Sequence, residues 1–487
     1  MSLVRVLAAL TALAVCAGCF RASSSEGGGQ VVFDAPRAID PRDVALPPGY
    51  AIEVVATHLN FPTDVTFDAQ GRPHVIEAGY SYGGVVTTPR LVRIDGRREH
   101  TVIAEGDNPP WTGVEYADSA FFVAGGHARP GQVLRITPQG EQAVIVDGLP
   151  STGDHFTGQI AINDGWLHFG TGTATNSGVV GLDNFDFGWV PRSPQFHDIP
   201  CQDIVLSGQN YTTPNPLTPD PNDVAVTGAF RPFGTPSEPG EVIKGQVPCS
   251  GAIYRVRLDG SQLELLAWGF RNPYGVAIAP SGAIFITENQ ADVRGSRPIF
   301  GTGDLLWQVQ TGAWYGWPDF YAGVPLNKES FVPPGKDSEE AMLHLLLAEH
   351  AQKPPRPTAT LGVHSSSNGV AFSHSPAFGH VGQAFVAQFG DMAPSVGKVM
   401  EPVGFKVIRV DVEKGTVEPF AVNLAEDNGP ASFLGSGGLE RPNSVAFGPN
   451  GDLWIVDFGV MTVSEAGPAP KLGTGVLWRV KRTGGAQ

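Results

Sequence analysis

The chain of 487 residues is poor in cysteine, with 4, in methionine, with 5, and in charge, at 16%. Cys16 and Cys19 lie in the N-terminal leader, so Cys201 and Cys249 serve all the rest. Two cysteines so far apart exclude a cysteine-ligated zinc site, whose ligands come in close pairs. No C-x-x-C-H motif occurs, so no haem is attached through one and electrons from any redox step leave to a separate acceptor. Positive charge is scarce: 32 Lys and Arg face 48 Asp and Glu, a net charge of -16. That excludes the concentrated basic surface that nucleic acid requires. Long apolar-periodic segments are few. What is abundant is turn chemistry, with Gly 62 and Pro 42, beside 41% hydrophobic residues, enough for a sizeable core. These proportions predict an all-β chain of one large or two ordinary domains.

The one continuous apolar stretch, Val6 to Val15, follows Arg5 and is too short to span a bilayer. It reads as an export signal over residues 1–19. Ala17-Gly18-Cys19 is similar to a bacterial lipoprotein processing site, with Cys19 as the lipidated residue; a plain secretory signal is the alternative, since Cys16 stands where such sites carry Leu. Residues 20–46, with SSSEGGGQ at 23–30, are expected to form a flexible tether. The expected location is the bacterial cell envelope or periplasm, with any membrane contact through the lipid alone. In an exported chain the pair Cys201 and Cys249 suggests a disulfide, two free thiols being the alternative.

One hairpin recurs six times between residues 47 and 483. The copies are FPTDVTFDAQGRPHVIEAG from Phe61, WTGVEYADSAFFVAGG from Trp111, HFTGQIAINDGWLHFGTG from His155, RNPYGVAIAPSGAIFITEN from Arg271, SNGVAFSHSPAFGHVGQAFVAQFGD from Ser367 and RPNSVAFGPNGDLWIVDFG from Arg441. A third strand follows most copies, as in RLVRIDG at 90 and VLWRVKR at 476, and then an edge strand such as TVIAEG at 101. Four strands per unit and six units predict a six-bladed β-propeller, because a lone blade buries too little and stacked blades bury both faces. A β-sandwich explains the strands but not the repeat. Residues 50–57 (YAIEVVAT) have no blade of their own and are expected to complete the sixth, beside 474–482.

Two stretches break the spacing, 176–249 and 320–360. The second contains a predicted helix, EEAMLHLLLAEH at 339–350, capped by Asp337 or Ser338 and stopped by Pro354-Pro355. In a propeller the links into the inner strands cross one face of the disc. Trp111, Asp154-His155, Arg271-Asn272 and Glu440 to Asn443 therefore gather at one axial mouth. Two guanidiniums suit carboxylates, and an imidazole beside a carboxylate suits general-base work near neutral pH.

The segments GDHFTGQIA at 153, GFRNPYGVAIAPSG at 269, GAWYGWP at 312 and LGVHSSSNGVAF at 361 resemble the glucose/sorbosone dehydrogenase family over most of residues 50–482. That resemblance implies an exported six-bladed propeller that oxidises a sugar or related alcohol with pyrroloquinoline quinone (PQQ) and calcium. It implies His155 as general base, Asp154 and Trp111 at the substrate, Arg271 and Asn272 at the quinone, and Arg441 with Asn443 at a cofactor carboxylate. Calcium is expected on the backbone carbonyls of Gln290 and Ala291. The chain departs from the family where Gly-Pro has become Gln290-Ala291, where Asp304 starts the stretch that is usually more acidic, and where Asn443 replaces a second Arg. Two other readings stand beside this one. The first is a non-catalytic propeller binding a carbohydrate or protein through the same mouth. The second is a metal-dependent sugar lactonase using Glu77, Glu288 and Asp457.

Overall fold

A computed structural model describes residues 33–79, 86–127, 129–333, 343–350, 352–393, 396–397, 399, 401–464 and 467–483. The signal segment 1–19 and the lipidation site Cys19 lie outside the described residues.

Each predicted hairpin forms, and each grows into an antiparallel blade. Blade 1 runs from Pro62–Phe67 through Pro73–Glu77 and Arg90–Ile94 to His100–Glu105. Blades 2 to 5 begin at the inner strands Trp111–Ala117, Thr157–Asn163, Asn272–Ile278 and Ser367–Phe372, and blade 6 at Pro442–Phe447. The outer strand of blade 6 is Tyr50–Leu59, paired antiparallel with Gly475–Arg482. The two ends of the chain thus close the ring within one sheet. Closure is also visible in packing, since each junction between neighbouring blades holds its own buried apolar cluster. Ile76, Leu91, Val114 and Phe121 fill the junction of blades 1 and 2. Val75, Val92, Trp454 and Leu477 fill that of blades 6 and 1. Alternation along the strands supplies both sets: Val75 and Ile76 are neighbours that face opposite blades.

Two expectations are corrected. The expected tether over 20–46 ends early, because Arg37 and Val44 are already buried on the disc. Arg37 is buried, bonding Asp457 Oδ2 at 2.5 Å and the Gly438 carbonyl at 2.8 Å. Val44–Ala45 adds a fifth strand to blade 5. The expected helix at 339–350 is absent over 343–350, and 337–342 lie outside the described residues. Its backbone is drawn instead to a buried carboxylate: Leu346 N and Leu347 N donate to Asp319 at 2.7 and 2.9 Å, and His350 Nε2 lies 3.0 Å from the same group. Leu346 and Leu347 then pack with Val179 and Phe230, so the two insertions form one apolar body.

The first insertion interrupts blade 3 between Trp166–Thr171 and Ala252–Arg257. It carries two short helices, α1 (Leu182–Asp186) and α2 (Trp189–Arg192), and the disulfide Cys201–Cys249 is formed.

Candidate functional site

The links into the inner strands are held by acids at the ends of the adjacent strands. Glu77 Oε1 accepts from Asn60 N at 2.7 Å, Glu288 Oε1 from Arg271 N at 2.6 Å, and Asp457 Oδ1 from Arg441 N at 2.9 Å. Trp307 and Trp478 donate to Glu288 and Asp457 as well. The three carboxylates proposed for a lactonase metal are thus each bonded to the lead-in of their own blade, Asp457 also to Arg37. Their shared work is to fix lead-in backbones whose N–H groups would otherwise be buried without partners.

At the axial mouth lies a cavity of about 260 Å³ lined by Asp154, His155, Arg271, Asn272, Gln290 and Asp292, among others. A smaller one of about 80 Å³, sharing Asn272 and Asn289 with the first, continues along the axis. His155 enters from the blade-3 link, packed so closely on Gly172 that a Cβ there would stand 2.2 Å from its own Cβ. Its Nδ1 lies 2.9 Å from the Thr173 carbonyl and 3.1 Å from the Thr173 hydroxyl. A proton on Nδ1 therefore donates to the carbonyl, and Nε2, with no hydrogen bond among the described residues, is the acceptor. Burial first, then Arg271 and Arg294, holds this imidazole well below its ordinary value, so it is neutral at neutral pH.

Asp154 is almost fully buried beside it. Asn184 Nδ2 of α1 donates to Oδ1 at 2.9 Å, and Arg294 Nη2 donates to Oδ2 at 2.8 Å. Burial, opposed by Arg294 and reinforced by Asp183, raises this carboxyl above the usual range. Arg271 is bonded at all three nitrogens: Nε and Nη2 reach the Asn176 carbonyl and Oδ1 at 3.0 and 2.9 Å, Nη1 the Asn289 carbonyl at 3.2 Å, and Nη2 also Asp292 Oδ2 at 2.9 Å. Burial opposes ionisation of Asp292, yet Arg271, His364 and Arg294 outweigh it and keep the carboxyl far below the usual range. Asp292 Oδ1 faces His364 Nδ1 at 3.6 Å. Asn272 Nδ2 bonds Asn289 Oδ1 at 2.9 Å on the cavity wall.

The structure brings His155, Asp154, Arg271, Asn272 and Gln290 together and places four expected partners elsewhere. Arg441 is walled off from the mouth: Nη1 donates to the Asp391 carbonyl at 3.0 Å, and its guanidinium lies 5.1 and 5.0 Å from the rings of Phe389 and Phe405. It reaches no carboxylate within ion-pair distance among the described residues, and burial lowers it to about 10. Asn443 lines the deeper cavity, bonded to the Thr63 carbonyl and Tyr274. Trp111 packs between blades 1 and 2, against Gly106. The Ala291 carbonyl, expected on calcium, accepts from Thr302 Oγ1 at 2.8 Å.

Arg294, Asp292 and His364 line the same cavity, and the sequence reading does not single them out. Asp292 directly follows Ala291 and Arg294 stands two residues further on, in the charged run ADVRG, and His364 lies in the quoted LGVHSSSNGVAF; charge inside a turn is the available signal. Among the described residues no group of three or more His, Cys, Asp or Glu is placed to hold a metal ion.

No protein-family model matches the chain, and no curated protein matches it. Solved structures do. The PQQ-bound aldose sugar dehydrogenase of Streptomyces coelicolor is similar with a TM-score of 0.50 at 16% identity, over 90% of this chain and 99% of that one. The holo PQQ domain of a pyranose dehydrogenase from Coprinopsis cinerea gives 0.52 at 16% identity, over 94% and 100%. The calcium structure of a family AA12 carbohydrate-active enzyme from Trichoderma reesei gives 0.52 at 14% identity, over 91% and 98%. What is shared at this identity is the six-bladed fold.

Proposed function

We propose that the protein oxidises a sugar or related alcohol in the axial cavity, using PQQ and calcium. The observation that carries the reading is His155 on the cavity wall with Nδ1 fixed on the Thr173 carbonyl, which leaves Nε2 as the ring's acceptor. The fold likeness to PQQ-bound sugar dehydrogenases supports the choice of cofactor.

The lining bears on how the cofactor fits. Asp154, Asp186, Asp292 and Asp304 line the cavity against the two guanidiniums of Arg271 and Arg294. Burial raises Asp154, Asp186 and Asp304 above the usual carboxylate range, yet once ionised the four carboxylates outnumber the guanidiniums and repel an anionic quinone, a repulsion that a divalent cation arriving with it offsets. The lining therefore fits the pair rather than the quinone by itself. Arg271, Asn272 and Arg294 would hold the quinone. The Gln290 carbonyl, a hard oxygen donor, would be a calcium ligand; Asp292 could join it only through Oδ1, since Oδ2 is shared by Arg271 and Arg294.

When bound, PQQ supplies the electrophilic carbonyl that takes a hydride, with calcium to polarise it. The chain's own part is proton transfer and placement. His155 Nε2 accepts the proton of the sugar hydroxyl as hydride leaves the same carbon, so an alcohol becomes a carbonyl. Thr173 stabilises the resulting imidazolium by accepting from Nδ1. Asp154, held by Arg294 and Asn184, positions the substrate beside the imidazole. The proton then passes to solvent through the mouth, and the electrons to a separate acceptor. Export to the cell envelope, with a lipid on Cys19, completes the proposal.

A second reading, a non-catalytic propeller that binds carbohydrate or protein, is favoured by one observation: all three guanidinium nitrogens of Arg271 are already bonded within the chain. Purified protein mixed with PQQ and calcium, then assayed with a dye acceptor on aldoses and alcohols, separates the two. Dye reduction lost in His155→Ala supports oxidation. Carbohydrate binding with no quinone uptake at micromolar concentration selects the second reading.

A further inference from the structure

The α1–α2 corner of the first insertion is part of the cavity wall, through Asp186, Phe187 and Trp189. It is tied to Asp154 twice. Asn184 Nδ2 donates to Asp154 Oδ1, and Arg294 bridges Asp154 and Asp183 while also reaching Asp292. Gly188, at φ 79°, turns the chain between the helices, a conformation that favours glycine. Trp189 is buried against His127 and Phe196, which anchors the corner from behind.

Two side chains of the corner are left over from this anchoring. Phe187 lines the cavity with 41% of its surface exposed; the Arg294 guanidinium lies 5.2 Å from its ring centroid, and the exposed part of the ring has no apolar cover within the chain. Asp186 is exposed at the same wall, and its carboxylate makes no hydrogen bond or ion pair among the described residues. An accessible aromatic face beside a free acceptor matches a sugar ring, which offers C–H groups on one face and hydroxyl donors at its edge. A free carboxylate at that place repels an acidic sugar.

We propose that this corner is the substrate-selecting wall and takes a single neutral sugar ring, stacked on Phe187 with a hydroxyl donating to Asp186. The proposal rests on the sugar-oxidation reading. Its test is steady-state kinetics of the reconstituted enzyme on glucose, galactose, xylose, lactose and glucuronate, with calorimetric binding of the same sugars. Phe187→Ala is expected to raise KM for the neutral monosaccharides about tenfold, from the worth of one aromatic contact, with the loss in KM rather than kcat. Phe187→Trp is expected to keep wild-type KM, and Asp186→Asn to admit glucuronate. Unchanged KM and calorimetric affinity in Phe187→Ala, with an active wild type, overturn the wall and leave the oxidation reading standing. So does a wild type that prefers glucuronate. A wild type that neither binds nor oxidises any of the five overturns both.

Discussion

Arg294 Nη2 donates to Asp154 Oδ2 across 2.8 Å, joining two residues 140 positions apart, both largely removed from solvent. The pair ties a loop of blade 4 to the link that carries the proposed base. Removing one partner of a buried pair leaves a charge without compensation, at a cost of about 3–5 kcal/mol. Arg294→Ala is expected to lower stability on that scale in urea unfolding and to lose sugar oxidation. Arg294→Ala with Asp154→Asn should recover part of the stability and none of the activity.

His155 makes a prediction about pH. Its folded-state value lies well below the ordinary one, through burial and then the two arginines. The unfolded chain binds a proton, near pH ~6.5, that the folded chain refuses. Its contribution to stability is therefore full above that pH and is lost as pH falls toward the folded value. Urea midpoints measured across this range should fall with pH, and less steeply in His155→Gln. Activity should show no limb near pH ~6.5 from this group, because the folded imidazole is already neutral there.

The disulfide lies close in sequence to Asp198, which bonds the loop beside His155. Cys201 and Cys249 close a separation of 48 residues, worth about 4 kcal/mol in the chain-entropy account. Asp198, three residues before Cys201, accepts from Ala174 N at 2.6 Å and is bonded by Thr175 Oγ1. That loop presents the Thr173 carbonyl to His155 and Asn176 to Arg271. Cys201→Ser with Cys249→Ser should lower the unfolding midpoint and also reduce kcat, whereas a staple remote from the site would change the midpoint alone.

Arg441 separates this chain from the expectation set by its motifs. Its guanidinium lies between Phe389 and Phe405 and bonds backbone carbonyls. Arg441→Met should leave quinone affinity unchanged, as judged by equilibrium titration, while Arg271→Gln should weaken it.

The ring was legible because it is written locally. A hairpin such as RNPYGVAIAPSGAIFITEN carries its own turn and alternation, and six such units admit few arrangements. The gathering of His155 and Arg271 followed from that geometry alone. The direction of a long side chain did not: Arg441 occupies the same place in its hairpin as Arg271, yet it points between two aromatic rings contributed by blade 5. The predicted helix failed for a similar reason. Leu346 and Leu347 have helical propensity, but Asp319, far away in sequence, offers their N–H groups a buried carboxylate. The insertion's contribution, Asn184 and Phe187 at the mouth, depends on folding of a turn-rich stretch that has no repeat to read.

The central claim is that the cavity of His155 and Arg271 takes an anionic quinone only together with a divalent cation. An equilibrium titration of the purified protein with PQQ, once with calcium and once with a chelator, tests it most directly. The account predicts saturable uptake at micromolar or lower quinone in calcium, its loss in chelator, and its weakening by Arg271→Gln. Absence of uptake in calcium, or uptake indifferent to both the ion and Arg271, contradicts it.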